Sequence, residues 1–218
     1  MPAPRLIIPH DSDGTLPDLA AYHISSRVVH RQYLFQMEEK EQFRILMRMY
    51  ERYSGCRVLS YCILTNHIHL LLEVPPPPTD REFGLTEDEL IYRLGGLYSR
   101  TYVNGVKAEL LEAQEIMGGR REGHLRLSKA DQKKELAYGR SQMAVIYERY
   151  TKRMHSLSEF MRGLLQRFTR WFNKRHGLRG TLWEDRFHSV IVQSGLASRT
   201  MAAYIDLNPV RAGICKDP

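Results

Sequence analysis

The apolar positions along the chain repeat with two periods, and these periods separate strands from helices. Alternating apolar and polar residues predict strands, whereas apolar residues spaced three and four apart predict helices. The patterns predict the order strand, helix, strand, strand, helix, strand, over residues 21–29, 38–53, 57–64, 67–74, 157–175 and 187–193. A last helix is predicted over 197–207. This order is typical of a ferredoxin-like α+β fold: an antiparallel sheet has helices on one face and leaves the other face open for function.

The segment from 79 to 154 differs in character from the regions on either side. It is rich in charged residues, holds two Gly-Gly pairs, and has weak helical periodicity over 86–98 and 128–150. We therefore predict a single domain over 20–213, interrupted by a mostly helical insertion at 79–154 and preceded by an N-terminal extension at 1–19. A chain of 218 residues is long enough for one such domain with its own core.

Composition narrows the class of protein without fixing it. No apolar run approaches the roughly 20 residues that a membrane span needs, so we expect a cytoplasmic protein without a membrane partner. The three cysteines are scattered and form neither a disulfide framework nor a metal clamp. The net charge of +7 suits a polyanionic partner such as nucleic acid, although many soluble proteins are mildly basic for no specific reason.

The second strand of the predicted hairpin carries two histidines that point to the same side. His67 and His69 alternate with apolar residues, so their imidazoles lie on one face of the sheet, about 7 Å apart along the strand. Neutral imidazole is a common ligand for divalent metals, and two imidazoles on one rigid strand fix part of a coordination shell. The alternative is a pair of surface histidines on a half-exposed strand.

The last predicted helix adds a second pair of polar residues. Tyr204 and Asn208 are four residues apart and so lie on one helical face. Asn208 would supply an amide oxygen as a third ligand, with Tyr204 one turn away from the cation. A divalent ion there polarises a phosphate under attack and favours the phenolate form of tyrosine. Alternatively, Tyr204 only packs and Asn208 only ends the helix before Pro209.

These segments resemble the motifs of a known family. His67-Ile68-His69 resembles the histidine–hydrophobe–histidine motif of the HUH endonucleases. Residues 204–213 resemble the catalytic helix and following turn of the single-tyrosine transposases, in particular the REP-associated tyrosine transposases of bacteria. Further segments resemble that family in the expected order, namely Tyr22–Arg27, Phe168–Gly177 and Gly180–Phe187. The family usually has a short connection where this chain has residues 79–154.

The resemblance implies a ferredoxin-like transposase that nicks and rejoins single-stranded or hairpin DNA through a 5′-phosphotyrosine. By position, Tyr204 would be the nucleophile, and His67, His69 and Asn208 would hold Mg²⁺ or Mn²⁺. Two alternatives stay open: a non-catalytic DNA-hairpin-binding regulator of the same fold, and a metal-dependent hydrolase that uses activated water. Family members occur as monomers and as homodimers, and the sequence does not decide between the two states.

Basic residues of the second long helix and the loop after it are the candidate DNA contacts. They are Arg162, Arg167, Arg170, Lys174, Arg175, Arg179 and Arg186. Their alternative is an ordinary solvated helix face. Trp183 is a further candidate because aromatic rings stack on the bases of single strands, and its alternative is core packing.

Overall fold

The computed structural model describes residues 20–79, 82–118, 128–192 and 195–216, and the predicted extension at 1–19 lies outside them. The strands are β1 (Ala20–Arg27), β2 (Arg57–Ile63), β3 (His67–Val74) and β4 (His188–Val192). The helices are α1 (Met37–Ser54), α2 (Glu87–Leu94), α3 (Arg100–Met117), α4 (Lys129–Thr151), α5 (Leu157–His176), α6 (Leu196–Asp206) and α7 (Asn208–Arg211). No helix of these ranges is long and apolar enough to cross a membrane.

The four strands form one antiparallel sheet in the order β2-β3-β1-β4. β3 lies in the middle and pairs with β1 over its whole length, from His67 opposite Arg27 to Val74 opposite Ala20. This strand order, with α1 and α5 in the two crossover connections, is that of a ferredoxin-like sandwich. The predicted α+β class and its helical insertion are confirmed.

One face of the sheet is buried over its two central strands, β1 and β3. Its central side chains, which have no exposed surface, are Ile24, Ile68, Leu70 and Leu72. α1 and α5 pack together over this face, and α5 contributes Phe168, whose ring lies 5.1 Å from that of Phe43 in α1. The two helices approach closely at Gly163, where a Cβ atom would lie 2.4 Å from the Tyr50 ring. The predicted apolar helix faces are therefore the core.

The opposite face is divided, which differs from the open face that the sequence predicts. At one end α6 lies on a small apolar cluster formed by Ala21, Cys62, Leu64, Leu71, Val192 and Ile205. At the other end the same face carries His67 and His69. Because the apolar end needs a cover and the polar end does not, the last helix lies across only part of the sheet.

Most predicted element ends shift by one or two residues. β1 ends at Arg27, which pairs with His67 at the start of β3. A single 3₁₀ turn over Val29–Arg31 follows β1. The last predicted helix ends at Asp206, and a separate helix, α7, begins at Asn208. Pro209 explains this break, because proline has no N–H to continue the hydrogen bonds of α6.

Residues 77–154 form a second compact unit, distinct from the unit of residues up to 76 and from 155 onward. α3 and α4 pack against each other, and Gly139 permits their close approach because a Cβ there would lie 2.8 Å from the Ala113 carbonyl oxygen. α3 was not predicted as a separate element, although its buried residues Val103, Val106 and Leu110 repeat at helical spacing. Tyr147 stacks on Phe83 inside this unit.

Candidate active site

His67 and His69 lie side by side on the partly open face of the sheet, with ring centroids 5.1 Å apart. Both are half-buried. They line a cleft of about 260 Å³ together with Ser25, Ser26, Arg27, Glu184, Asp185, Arg186 and His188. The strand alternation that the sequence predicts therefore brings the two imidazoles together, at the mouth of a polar cleft.

Each of the two histidines has a hydrogen-bond partner at Nδ1. His67 Nδ1 lies 2.7 Å from the side-chain oxygen of Asn66, in the turn before β3. His69 Nδ1 lies 3.0 Å from Nε2 of His23 in β1, and the two rings are nearly parallel, with centroids 5.2 Å apart. These contacts hold both rings in defined orientations.

Burial makes these imidazoles poor bases. Desolvation, followed by the nearby His67, His23 and Arg27, lowers the pKa of His69 to about 4. Burial and then Arg27 lower the pKa of His67, and burial lowers the pKa of His23. All three rings are therefore neutral at neutral pH, which is the form that binds a metal ion.

α6 carries Tyr204 onto the histidine side of the sheet. Ile205 is completely buried in the apolar cluster under α6, so the neighbouring Tyr204 is turned partly outward, with 38% of its surface exposed. The Tyr204 ring stands edge-on to His69 at 6.3 Å and to His23 at 6.2 Å. Asp206 accepts a hydrogen bond of 2.8 Å from Ser60 of β2, which fixes the end of the helix against the sheet.

α7 adds a cation and a buried amide next to this tyrosine. The guanidinium of Arg211 lies over the Tyr204 ring, 5.3 Å from its centre. Asn208 is buried, and its Nδ2 has no hydrogen-bond partner among the described residues. Tyr204 lies near the end of α6 and Asn208 begins α7, and Leu207 between the two helices keeps a helical conformation.

The predicted DNA-contacting cations fall into two groups. Arg186 lines the histidine cleft. The residues of α5 instead belong to a helix on the other side of the sheet, and some of them have acidic partners: Arg175 pairs with Glu38 at 2.9 Å and Arg162 with Glu159. Arg170 and Lys174 are exposed on the same helix, and Arg179 follows in the exposed loop.

Trp183 belongs to the core. Only 8% of its surface is exposed, and its ring lies among Phe35, Phe43 and Phe168. Its Nε1 donates a hydrogen bond of 3.0 Å to Thr169 Oγ1. The packing alternative therefore describes Trp183 better than base stacking does, because most of the ring is already covered.

His23 and Arg27 are site residues that the sequence reasoning missed. His23 contacts both His69 and Tyr204, and Arg27 lines the cleft. Alternation along β1 places both residues on one face, but their closeness to the motif depends on the pairing of β1 with β3. The signal available in the sequence was a histidine at an alternating position of the first strand.

The site has no complete set of carboxylate, thiolate or imidazole ligands for a metal ion in the part of the chain that the structure describes. Among the described residues, no three His, Cys, Asp or Glu side chains are grouped closely enough to hold a metal ion. Any cation held by His67 and His69 would therefore need an oxygen ligand of another kind, such as an amide or a phosphate oxygen.

Comparison with known proteins gives a family match over the first three strands and a similar solved structure. The model of the IS200-like transposase family matches residues 18–80, a stretch that holds His23, His67 and His69. This match confirms the predicted resemblance over β1 to β3; it does not extend to Tyr204. A solved structure, described as the REP-associated tyrosine transposase bound to a REP hairpin, is 13% identical, with a TM-score of 0.41 over 90% of this chain and 70% of that one. No curated protein matches the chain.

Proposed function

We propose that this protein is a DNA transposase that nicks and rejoins single-stranded or hairpin DNA through a covalent bond to Tyr204. One observation carries the proposal: α6 delivers an exposed tyrosine edge-on to His69, 6.3 Å away, on the sheet face that carries the histidine pair. The family match over residues 18–80 supports the same class of reaction.

In the proposed reaction, the Tyr204 hydroxyl oxygen attacks the phosphorus of a phosphodiester. A bond forms between that oxygen and the 5′-phosphate, and the bond from phosphorus to the 3′-oxygen breaks. The phenolic proton is lost to solvent, and the departing 3′-oxygen takes up a proton. Because the new bond is again a phosphodiester, a 3′-hydroxyl can attack it in reverse and join strands without a separate energy source.

Two tyrosines of the 77–154 unit suit this task less well. Tyr147 and Tyr150 lie in the 77–154 unit and are buried. Burial raises the pKa of Tyr147, and burial together with a hydrogen bond to Tyr102 raises the pKa of Tyr150 to about 12. Both phenols are therefore buried and hard to ionise. Tyr204 is partly exposed, and the guanidinium of Arg211 lies over its ring.

The residues around Tyr204 fit a divalent cation such as Mg²⁺ or Mn²⁺. His67 and His69 offer neutral imidazoles, and Asn208 offers an amide whose Nδ2 makes no hydrogen bond within the described residues. A half-turn of that amide, which exchanges its nitrogen for its oxygen, would break no hydrogen bond of Nδ2. A bound cation would neutralise charge on the phosphate under attack.

Two groups of cations would bind the DNA, one in the histidine cleft and one on α5 and the loop after it. Arg27 and Arg186 line the histidine cleft, where they would hold the phosphate that is cut. The DNA backbone on either side of the cut would bind to exposed cations of α5 and the loop after it, namely Arg170, Lys174 and Arg179. Arg162, Arg167 and Arg175 are close to these residues in the sequence. Contacts of this kind fix the position of the strand but carry no sequence information.

A covalent-trapping assay tests the proposal. The full chain is incubated with Mn²⁺ and a library of synthetic single strands, each with a hairpin and randomised flanks, and then run under denaturing conditions. We expect a protein–DNA adduct on the 5′-phosphate of the downstream fragment. Tyr204→Phe removes one oxygen and should abolish the adduct while hairpin binding persists. The matched control is Tyr138→Phe, which alters a 56% exposed tyrosine of the other unit and should change nothing.

The alternatives predict different products in the same assay. A hairpin-binding regulator gives binding without cleavage in the wild-type protein. A hydrolase that activates water gives free 5′-phosphate ends without an adduct, and Tyr204→Phe leaves its cleavage intact. Either result contradicts the strand-transfer mechanism.

A further inference from the structure

The hydrogen bonds of Asn66 determine which nitrogen of His67 carries the proton. Asn66 Nδ2 donates to the carbonyl oxygen of Arg31 at 3.1 Å, so the amide nitrogen is already used. The atom that faces His67 Nδ1 at 2.7 Å is therefore the amide oxygen, which can only accept. His67 Nδ1 must donate, and the lone pair of the neutral ring then lies on Nε2.

His69 has an equivalent contact with a different partner. Its Nδ1 lies 3.0 Å from His23 Nε2, so one of these two nitrogens carries a proton and the other accepts it. His69 lines the cleft, whereas His23 is not among the residues that line it. The Nδ1 edge of His69 is thus occupied by a residue outside the cleft lining, and Nε2 is the ring nitrogen that remains for a ligand in the cleft.

We propose that Asn66 and His23 are positioning residues, each of which accepts the Nδ1 proton of one cleft histidine and so leaves its Nε2 free for a divalent cation. This inference rests on the proposed function, because it assumes that the cleft histidines are metal ligands. Partners of this kind fix the tautomer and the ring orientation of a ligating histidine. His23 does so from β1, whereas Asn66 does so from the hairpin turn, so the two ligands are aligned independently.

The same contacts give His23 a second neighbour. Its ring stands edge-on to Tyr204 at 6.2 Å and lies nearly parallel to the His69 ring, with 5.2 Å between their centroids. One side chain of β1 therefore touches both the candidate ligand and the candidate nucleophile. His23→Phe keeps an aromatic ring but removes the ring nitrogens. This substitution therefore removes the hydrogen bond to His69 while the ring can still pack against Tyr204.

Nitrogen-15 NMR of the histidine rings, recorded at pH 7.5 on the full chain without metal, tests the assignment directly. We expect His67 and His69 both to carry the proton on Nδ1. His23→Phe should release His69 to a mixture of tautomers and leave His67 unchanged. Asn66→Ala should release His67 and leave His69 unchanged. Val190→Ala, which trims the residue paired with His23 in β4, is the matched control and should alter neither ring.

Mn²⁺ binding, measured by calorimetry on the same proteins, gives the second readout. Each positioning variant should bind Mn²⁺ about 10- to 100-fold more weakly, as is typical for partners of metal-bound histidines. Asn66→Asp keeps the acceptor oxygen and should restore the His67 tautomer and most of the affinity. A merely structural role would change the thermal stability of the variants but leave the tautomers as they are in the wild-type protein.

The outcomes distinguish this inference from the proposed function. A wild-type His69 that carries its proton on Nε2, or unchanged tautomers and affinity in His23→Phe, overturns the inference even if the protein nicks DNA. The inference is supported if each variant releases the tautomer of its own histidine and binds Mn²⁺ more weakly. This holds even if no covalent adduct ever forms.

Discussion

The two faces of the sheet are built from the same strands but serve different purposes. The face under α1 and α5 is mostly apolar, and its central residues, such as Ile24 and Leu70, are completely buried. The other face has a buried apolar cluster under α6 and carries His23, His67 and His69 beyond it. The difference teaches that strand alternation lets one face carry the stability of the fold while the other keeps polar groups where a substrate can reach them.

The largest effect that this comparison predicts is on the histidine side. His67→Ala should reduce nicking at least about a thousand-fold, because losing a metal ligand forfeits several kcal/mol of transition-state stabilisation. The free energy of unfolding should change by about 1 kcal/mol or less, since the ring is half-buried and outside the core. Single-turnover cleavage and urea denaturation measure the two quantities, and normal cleavage by this variant would remove His67 from the site.

The opposite result is expected on the helical side. Phe168→Ala should lower the free energy of unfolding by about 3–5 kcal/mol, because the ring is completely buried among Phe35, Phe43 and Trp183. The control is Val190→Ala on the other face, where 63% of the residue is exposed and the change should stay within about 0.5 kcal/mol. Equal losses in both variants would mean that the two faces do not divide stability as described.

A moderate effect is expected on DNA affinity. Replacing Arg170 and Lys174 with Glu should weaken binding to every single strand, and the slope of log affinity against log salt should become shallower by about 0.7 for each phosphate that is no longer neutralised. Fluorescence anisotropy over a salt series measures both. Lys133→Glu with Lys134→Glu in α4 is the matched charge reversal. If only the α4 change weakens binding, DNA lies on the 77–154 unit instead of α5.

The smallest expected effect concerns the attachment of α6. Ser60→Ala removes the 2.8 Å hydrogen bond to Asp206 and should cost about 0.5–1.5 kcal/mol, measured by urea denaturation. Asp206→Asn keeps an acceptor oxygen and should cost less. A Ser60→Ala protein with unchanged stability would show that apolar packing of Ile205 alone holds the helix on the sheet.

Much of this division could be predicted from the sequence, because it follows from short-range periodicity. Alternation over β3 correctly put His67 and His69 on one face, and helical spacing in α5 correctly put Phe168 in the core. What depended on distant strands and loops was missed or left open. His23 meets His69 only through the pairing of β1 with β3, and Trp183 packs in the core through a loop whose path no local period describes.

The end of the last helix shows a different limit. Spacing alone predicted that Tyr204 and Asn208 share one helix, but Pro209 separates α6 from α7. A proline just beyond a predicted helix is a local signal for its end. The sequence therefore held the signal for this break, whereas the contacts of Tyr204 with His23 and His69 depend on tertiary packing.

The central claim is that Tyr204, on the divided face, forms the covalent bond to DNA. The most direct measurement is mass spectrometry of the trapped complex after nuclease and protease digestion. We predict a single modified peptide that carries a nucleotide through its 5′-phosphate, with fragmentation that assigns the bond to the Tyr204 oxygen. A nucleotide on any other residue, or cleaved DNA without a modified peptide, would contradict this account.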